Sequence, residues 1–496
     1  LQPGAGSSPI TLPSPPARAA GSPPALGGGA RPRPRGRGAP VAGARPTGRE
    51  AGGPAVWLLA ALWLMLLTDI QYFLSFRGIP LVTSLMVPML PALAVVLPIS
   101  VMSRPERREH WTWFPPFVAF LAIVAIMVPF TIDRPRAVAS LQTLALFWLL
   151  IVGTVSHVTS VRRAELLLLA FGLQFAWWGF WGFRGGLVAW SPVLANYDGY
   201  GAYMVIGGGF CSFLIVAIGR NQMKLVRRVL VAAVALCAIG MVASMARGAF
   251  LAGLAVAGVV WLRSERKIRA LGVALVCGFV VIVAEIVLFG GAYWQEMSTI
   301  LQGTNEATGE DRWEMWKAAF GVFLQRPVFG VGTSNWSIFA AEFYQPGQLG
   351  GPYGDNPRML WGVSAHNKFV STLAETGITG ITAFLWLFWD FWRRNVELRT
   401  QRSSLRWRAM GGQLEVNALA LAIEAALIGW IVAASLYSMG GTHWLYTILA
   451  INMTMHVIVT SRGAARAEAE ASGMGRGPLV GSRRRPRAGI GRTNGR

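Results

Sequence analysis

"RVLVAAVALCAIGMVASMARGAFLAGLAVAGVVWL", residues 228 to 262, is apolar almost throughout. As a single helix it would run roughly 52 Å at 1.5 Å per residue, far more than a hydrocarbon core of about 30 Å can hold. The stretch therefore reads as two membrane-crossing helices with the break at "SMARGA", which puts Arg247 at a membrane surface. Runs of about 17 to 25 apolar residues, each long enough to span a bilayer, recur on both sides of it, from Ala55 to Thr460. Spans are expected near 55–75, 79–101, 114–131, 138–157, 164–183, 200–219, 228–245, 248–262, 268–289, 368–391, 417–437 and 443–460.

Composition agrees with that count. Of 496 residues 53% are hydrophobic and only 14% charged, with 21 Trp and 25 Phe, which is far from the mix of a soluble domain. The expected fold is all-α: a polytopic membrane helix bundle of about 12 transmembrane helices with one long outer loop that contains short amphipathic helices. The expected order is a basic Pro/Gly/Arg-rich tail over 1–54, helices one to nine over 55–289, the loop 290–367, helices ten to twelve over 368–460, and a basic tail over 461–496. The first tail holds too little apolar material to fold alone. A cleaved signal is not expected, because the first apolar run is span-length and many more follow.

The net charge of +22 would suggest nucleic acid in a soluble protein, but here the Lys and Arg lie mainly in tails and short loops. No water-exposed segment interleaves basic and aromatic residues, so no nucleic-acid partner is expected. Every second loop is basic: "SRPERRE", "VRRAE", "GRNQMKLVRR", "RSERKIR" and "RRNVELRTQRSSLRWR" fall on one side with both tails. By the positive-inside rule that side is cytoplasmic. The Arg247 turn, "GGLVAWSPVLANYDGYG", the loop 290–367 and "SMGGTH" then face outward, periplasmic in a bacterial inner membrane. Cys211, Cys237 and Cys277 each sit in an apolar run, with neither a disulfide framework nor metal spacing.

A loop as long as 290–367 usually carries function or its own secondary structure. "TGEDRWEMWKAAFGVFLQRP" (308–327) sets Thr308 and Asp311 in capping-box spacing and puts Trp313, Trp316, Phe320, Phe323 and Leu324 on one stripe before Pro327, the pattern of an amphipathic helix on the membrane or the bundle. Arg312 then falls in the first turn, against the positive end of the helix dipole. Either an anionic ligand or the adjacent Glu310, Asp311 and Glu314 can hold it there. In "FGVGTSNWSIF", Gly330 and Gly332 precede Thr333 and Ser334, suited to cap the short helix that follows. The amides of such a turn can cradle phosphate, and an ordinary tight connection gives the same pattern.

"VSAHNKFVSTLAETGITG" (363–380) sets His366 and Asn367 at the outer mouth of the tenth span and Lys368 at its start. Lys368 and Glu375, seven apart, share a helix face, and Gly377 and Gly380 permit close approach. An imidazole with an ordinary pKa near 6.5 accepts a proton at neutral pH, which Lys and Arg do not readily do. His366 is the general-base candidate. Of the other histidines only His443 also lies outward.

"ASMARGAFLAGL", "TGEDRWEMWKAAFGVFLQRPVFGVGTSNW" and "AHNKFVSTLAETGITG" together, in this order over residues 240 to 385, resemble the O-antigen ligase and O-antigen polymerase superfamily of bacterial membrane glycosyltransferases. The resemblance implies metal-independent, inverting transfer of a glycan from a polyprenyl pyrophosphate carrier to an acceptor hydroxyl at the outer face of the inner membrane. The partners it implies are the bilayer, a lipid-linked saccharide donor and a glycan or lipid-core acceptor, as in lipopolysaccharide biosynthesis, with no cofactor. It also implies that Arg247 and Arg312 bind the pyrophosphate and that His366 activates the acceptor. Asn367, Lys368, Gly330 and Gly332 are secondary substrate-binding candidates. So are Asn196 and Asp198, from a segment only loosely similar to that of relatives, and the outward Arg184, which an interfacial anchor role also explains. The alternative is a transporter or flippase of lipid-linked saccharides, for which Asp69, Glu285 and Glu424 are intramembrane acids able to relay protons. The lack of an internal repeat or paired broken helices weighs against it.

Overall fold

The computed structural model describes residues 54–78, 86–192, 194–219, 222–264, 267–300, 307–437 and 443–472. The N-terminal tail before Pro54, residues 473–496 of the C-terminal tail and most of the expected outer turn at 438–443 lie outside the described residues. Within them every regular element is helical.

The N-terminal half comprises α1 (Pro54–Thr68), α2 (Ile70–Phe76), α3 (Met86–Met102), α4 (Pro105–Glu109), α5 (Pro115–Met127), α6 (Arg134–His157), α7 (Val161–Gly182) and α8 (Tyr197–Ile218). The family of motifs then occupies α9 (Lys224–Ala243), α10 (Arg247–Arg263), α11 (Lys267–Phe289), α12 (Ala292–Ser298), α13 (Ala307–Gln325) and α14 (Trp336–Phe343). The C-terminal part is α15 (Lys368–Leu398), α16 (Gln401–Ala409), α17 (Val416–Leu436), α18 (His443–Thr460) and α19 (Arg462–Ala471). Each expected span falls on a helix or helix pair. Six described helices (α6, α7, α8, α9, α15 and α17) are long and apolar enough to cross a membrane, and eight if the bent pairs α1/α2 and α18/α19 each count once. The break in the 228–262 stretch lies where length requires it, with α9 ending at Ala243 and α10 starting at Arg247.

The core is built around α8, which packs on α7, α9, α10 and α17. Its buried face carries Tyr200, Tyr203, Phe210 and Leu214, while Gly209 lets it approach Val256 and Ala425 so closely that a Cβ there would overlap Val256. Small residues at such crossings are what bring transmembrane helices into contact. Cys211 and Cys237 are buried in this core as small apolar side chains.

The loops sort into two ends. At one, the Glu109 carboxylate accepts the Arg462 N–H (2.8 Å), Glu165 accepts the amides of Gln413 and Leu414 (2.7 and 2.8 Å), and the Glu415 N–H donates to the Ala217 carbonyl (3.1 Å). Buried Glu424 pairs with Arg263 (2.7 Å) and Arg399 (3.0 Å) and accepts from the Asn395 amide. The basic loops thus gather together. At the other end Ser191 donates to Asp69 (2.7 Å), the Asn335 side chain accepts the Asp133 N–H (2.7 Å), and His366 meets Tyr437. Each of the three intramembrane acids has a partner: Asp69 and Glu424 are engaged as above, and Glu285 accepts the Tyr293 N–H (3.0 Å).

The tenth span departs from the uninterrupted helix expected. α15 breaks at Gly377, whose φ of 63° and ψ of −166° lie in a region open essentially to glycine alone. The freed groups are taken up by the chain after α13: Val331 and Gly332 N–H donate to the Ala374 and Glu375 carbonyls (3.2 and 2.7 Å), and Ile378 and Thr379 N–H donate to Pro327 and Val328 (2.8 and 3.2 Å). Gly377 and Gly330 permit this contact, since a Cβ on either would fall on the opposing backbone. Gly377 thus serves a loop crossing rather than the helix approach expected. Gly377→Ala is expected to cost on the order of 1–3 kcal/mol as an overpacked site, read as a lower unfolding midpoint of the purified protein, and an unchanged midpoint would contradict the break.

Candidate functional site

Three elements bring the site together. The α9–α10 turn carries Arg247 as the first residue of α10, a position where a cation gains nothing from the helix dipole. Its guanidinium instead meets Glu296 of α12 at 3.1 Å. The loop before α8 supplies Asn196 and Asp198; Asn196 caps α8 through the Gly199 N–H (2.6 Å) and hydrogen-bonds the Tyr437 phenol. The segment before α15 supplies His366, held with a left-handed φ of 49°, its N–H donated to the Ser364 hydroxyl (3.3 Å) and its ring 5.7 Å from that of Tyr437. Asn196, Asp198, Ala246, Glu296, His366 and Tyr437 share a cavity of about 650 Å³.

Arg312 enters from α13. That helix already runs from Ala307, so Arg312 lies in its second turn and Thr308 and Asp311 inside it, rather than in the capping box expected. Of the two placements expected for the stripe, the bundle is taken by the opposite face: Trp313, Phe320 and Leu324 are exposed, while Met315, Ala318, Ala319 and Val322 form the buried face. Trp316 is the exception, donating its indole N–H to the Ala365 carbonyl (2.7 Å) just before His366. The neighbouring acids do not hold Arg312. Glu314 pairs with Lys317 and accepts the Gly350 N–H (2.9 Å). Among the described residues no ion pair involves Arg312, and its buried Nε lacks a hydrogen-bond partner, as does His366 Nδ1. Buried polar atoms left so are rare and point to a partner still to arrive.

Burial pushes the His366 imidazole below its ordinary 6.5, the Arg312 charge pushes it further the same way, and Asp198 opposes both. The ring is therefore neutral at pH 7 and able to accept a proton.

The remaining sequence candidates fall elsewhere. Gly330 and Gly332 do not offer their amides outward: these donate to the Arg326 and Glu375 carbonyls (2.9 and 2.7 Å), so the turn is a packing device. Asn335, not Thr333 or Ser334, precedes α14. Asn367 caps α15 by accepting the N–H groups of Phe369 and Val370 (both 3.0 Å). Arg184 is exposed with its guanidinium over the Phe183 ring (5.4 Å), the posture of an anchor. Lys368 faces a different cavity, shared with Glu375. Tyr437 and Glu296 had no local motif to mark them; contact between distant helices makes them part of the site.

The chain is thus a helical membrane bundle that sets a neutral imidazole within electrostatic reach of Arg312. Residues 232–385, from α9 into α15, match the family model described as O-antigen ligase. Arg247, Arg312 and His366 all fall inside the matched segment. A comparison with curated proteins found no match.

Removing the Asp198 charge takes away the one influence that holds the His366 pKa up. Asp198→Asn is therefore expected to move the acid limb of the pH–rate profile to lower pH, since the histidine then stays neutral further into acid. A shift to higher pH would reverse the assignment.

Proposed function

We propose that the protein transfers a glycan from a polyprenyl pyrophosphate carrier to an acceptor hydroxyl, as a ligase or polymerase of saccharide chains, at the periplasmic face of the bacterial inner membrane. The observation that carries this reading is neutral, half-buried His366 within electrostatic reach of Arg312, whose buried guanidinium Nε has no hydrogen-bond partner, in a segment that matches the O-antigen ligase family model.

The chemistry follows from those groups. His366 takes the proton of the acceptor hydroxyl as its oxygen attacks the anomeric carbon. The bond from that carbon to the pyrophosphate oxygen breaks on the opposite face, which inverts the configuration. The departing pyrophosphate gains negative charge, and guanidinium groups fixed in a site of low dielectric stabilise such charge as it develops. Arg312 is poised for this, while Arg247 exchanges its contact with half-exposed Glu296 for the phosphate. Acceptor choice separates the two outcomes: a growing ladder of products marks a polymerase and one discrete shift of the acceptor marks a ligase.

His366→Ala is expected to lower turnover by about 10²–10⁴-fold as the loss of a general base. Arg312→Ala and Arg247→Ala are each expected to cost at least about 10²-fold. The assay follows glycan size with purified protein, lipid-linked donor and acceptor, and full activity in all three variants would overturn the site. For orientation, Gln222→Cys in a basic loop and Gln348→Cys in the long loop are expected to label from the cytoplasmic and periplasmic sides respectively; labelling from one side would overturn the topology.

A further inference from the structure

His366 and Lys368 are two residues apart yet face different cavities. The second, about 600 Å³, lies between α6, the 333–337 segment and α15, and this volume is within the range of roughly 300–1,000 Å³ typical of small-ligand sites. We propose that this cavity is a saccharide subsite, holding sugar residues of one of the two substrates beside His366; the proposal rests on the glycan-transfer reading above.

The hydrogen-bond inventory of the walls selects the ligand. Ser371 and Thr372 spend their hydroxyl protons on the Asn367 and Lys368 carbonyls (3.0 and 2.7 Å), and Thr143 does the same to Ala139 (2.9 Å). Ser140 and Ser334 share one hydrogen bond between them (2.9 Å). These hydroxyls therefore offer mainly lone pairs to the cavity. A sugar, dense in O–H donors, can use them.

Charge points the same way. Glu375 is 8% exposed, lines the cavity and lies within electrostatic reach of Lys368. The other cation, Arg136, is paired with Asp133 at 3.2 Å. Both positive groups thus have an acid close by. The Thr333 hydroxyl is buried with no partner, a polar atom on the wall that a ligand hydroxyl would satisfy. Ser364 joins the two cavities: it lines this one and accepts the backbone N–H of His366 (3.3 Å), so a sugar seated here lies next to the general base.

The test varies donor and acceptor separately in steady-state transfer by the full-length protein in lipid vesicles. Ser140→Phe, which fills the cavity, is expected to raise one substrate's KM about ten-fold with kcat within about two-fold, the signature of lost uniform binding. Ser371→Ala, a smaller change, is expected to raise the same KM about three-fold through one lost hydrogen bond. Whether the donor or the acceptor KM moves identifies whose sugar is held. In parallel, saturation-transfer NMR with a neutral trisaccharide as probe is expected to show binding to the native protein that Ser140→Phe removes and inorganic pyrophosphate does not displace. Unchanged KM for both substrates in both variants, or displacement of the trisaccharide by pyrophosphate, overturns the subsite. If His366→Ala abolishes transfer while neither KM moves in the cavity variants, the subsite falls and the reaction stands. If His366→Ala transfers normally but Ser140→Phe still loses the trisaccharide, the reaction reading falls and the subsite stands.

Discussion

A helix that breaks inside an apolar bundle must find new partners for its freed backbone groups, because no water is there to take them. In α15 the break at Gly377 is repaired by the chain 327–332, which returns two N–H donors and two carbonyls to the helix. This exchange stitches the long loop to the bundle. With the loop held at that point, α13 lays Met315, Ala318 and Val322 against its neighbours, Arg312 comes within electrostatic reach of His366, and Trp316 clamps the Ala365 carbonyl. The site is therefore assembled on two lengths of backbone that complete each other.

The arrangement also explains an unusual economy of charge. The basic end of the bundle neutralises its charges locally, as with Glu424 between Arg263 and Arg399, where a lone buried charge would be costly. At the opposite end Arg312 is left with a buried nitrogen unsatisfied, and His366 is held in a left-handed backbone conformation. A left-handed residue and two unpartnered buried nitrogens thus meet around His366 and Arg312. The surrounding closely packed core of α8, α9, α10 and α17 is stable enough to hold them there.

In the proposed reaction the two cavities have different parts. One gathers Asp198, Glu296 and His366, with Arg247 paired to Glu296, and holds the proton acceptor. The other is walled by hydroxyls and a buried carboxylate and suits an uncharged, hydroxyl-rich ligand. Val363 to Lys368 lies between them, with His366 on one cavity and Lys368 on the other.

Length and apolarity alone determined the helical membrane class, the break before Arg247 and the sorting of basic loops to one end, because each depends on local composition measured against a bilayer of set thickness. His366 was legible as a candidate base from its residue type and its place at the mouth of a span, whereas Arg247 and Arg312 took their roles from the family resemblance. Other features were decided only by tertiary contact. The apolar stripe of α13 has two sides, and pattern cannot tell which one the bundle covers. Gly330 and Gly332 look like a phosphate cradle until their amides meet α15, and Gly377 looks like a helix contact until the helix is seen to break. Tyr437, Glu296 and the hydroxyl-lined cavity are composed of residues far apart in the chain, and proximity of that kind is a property of packing, which no local reading of sequence contains.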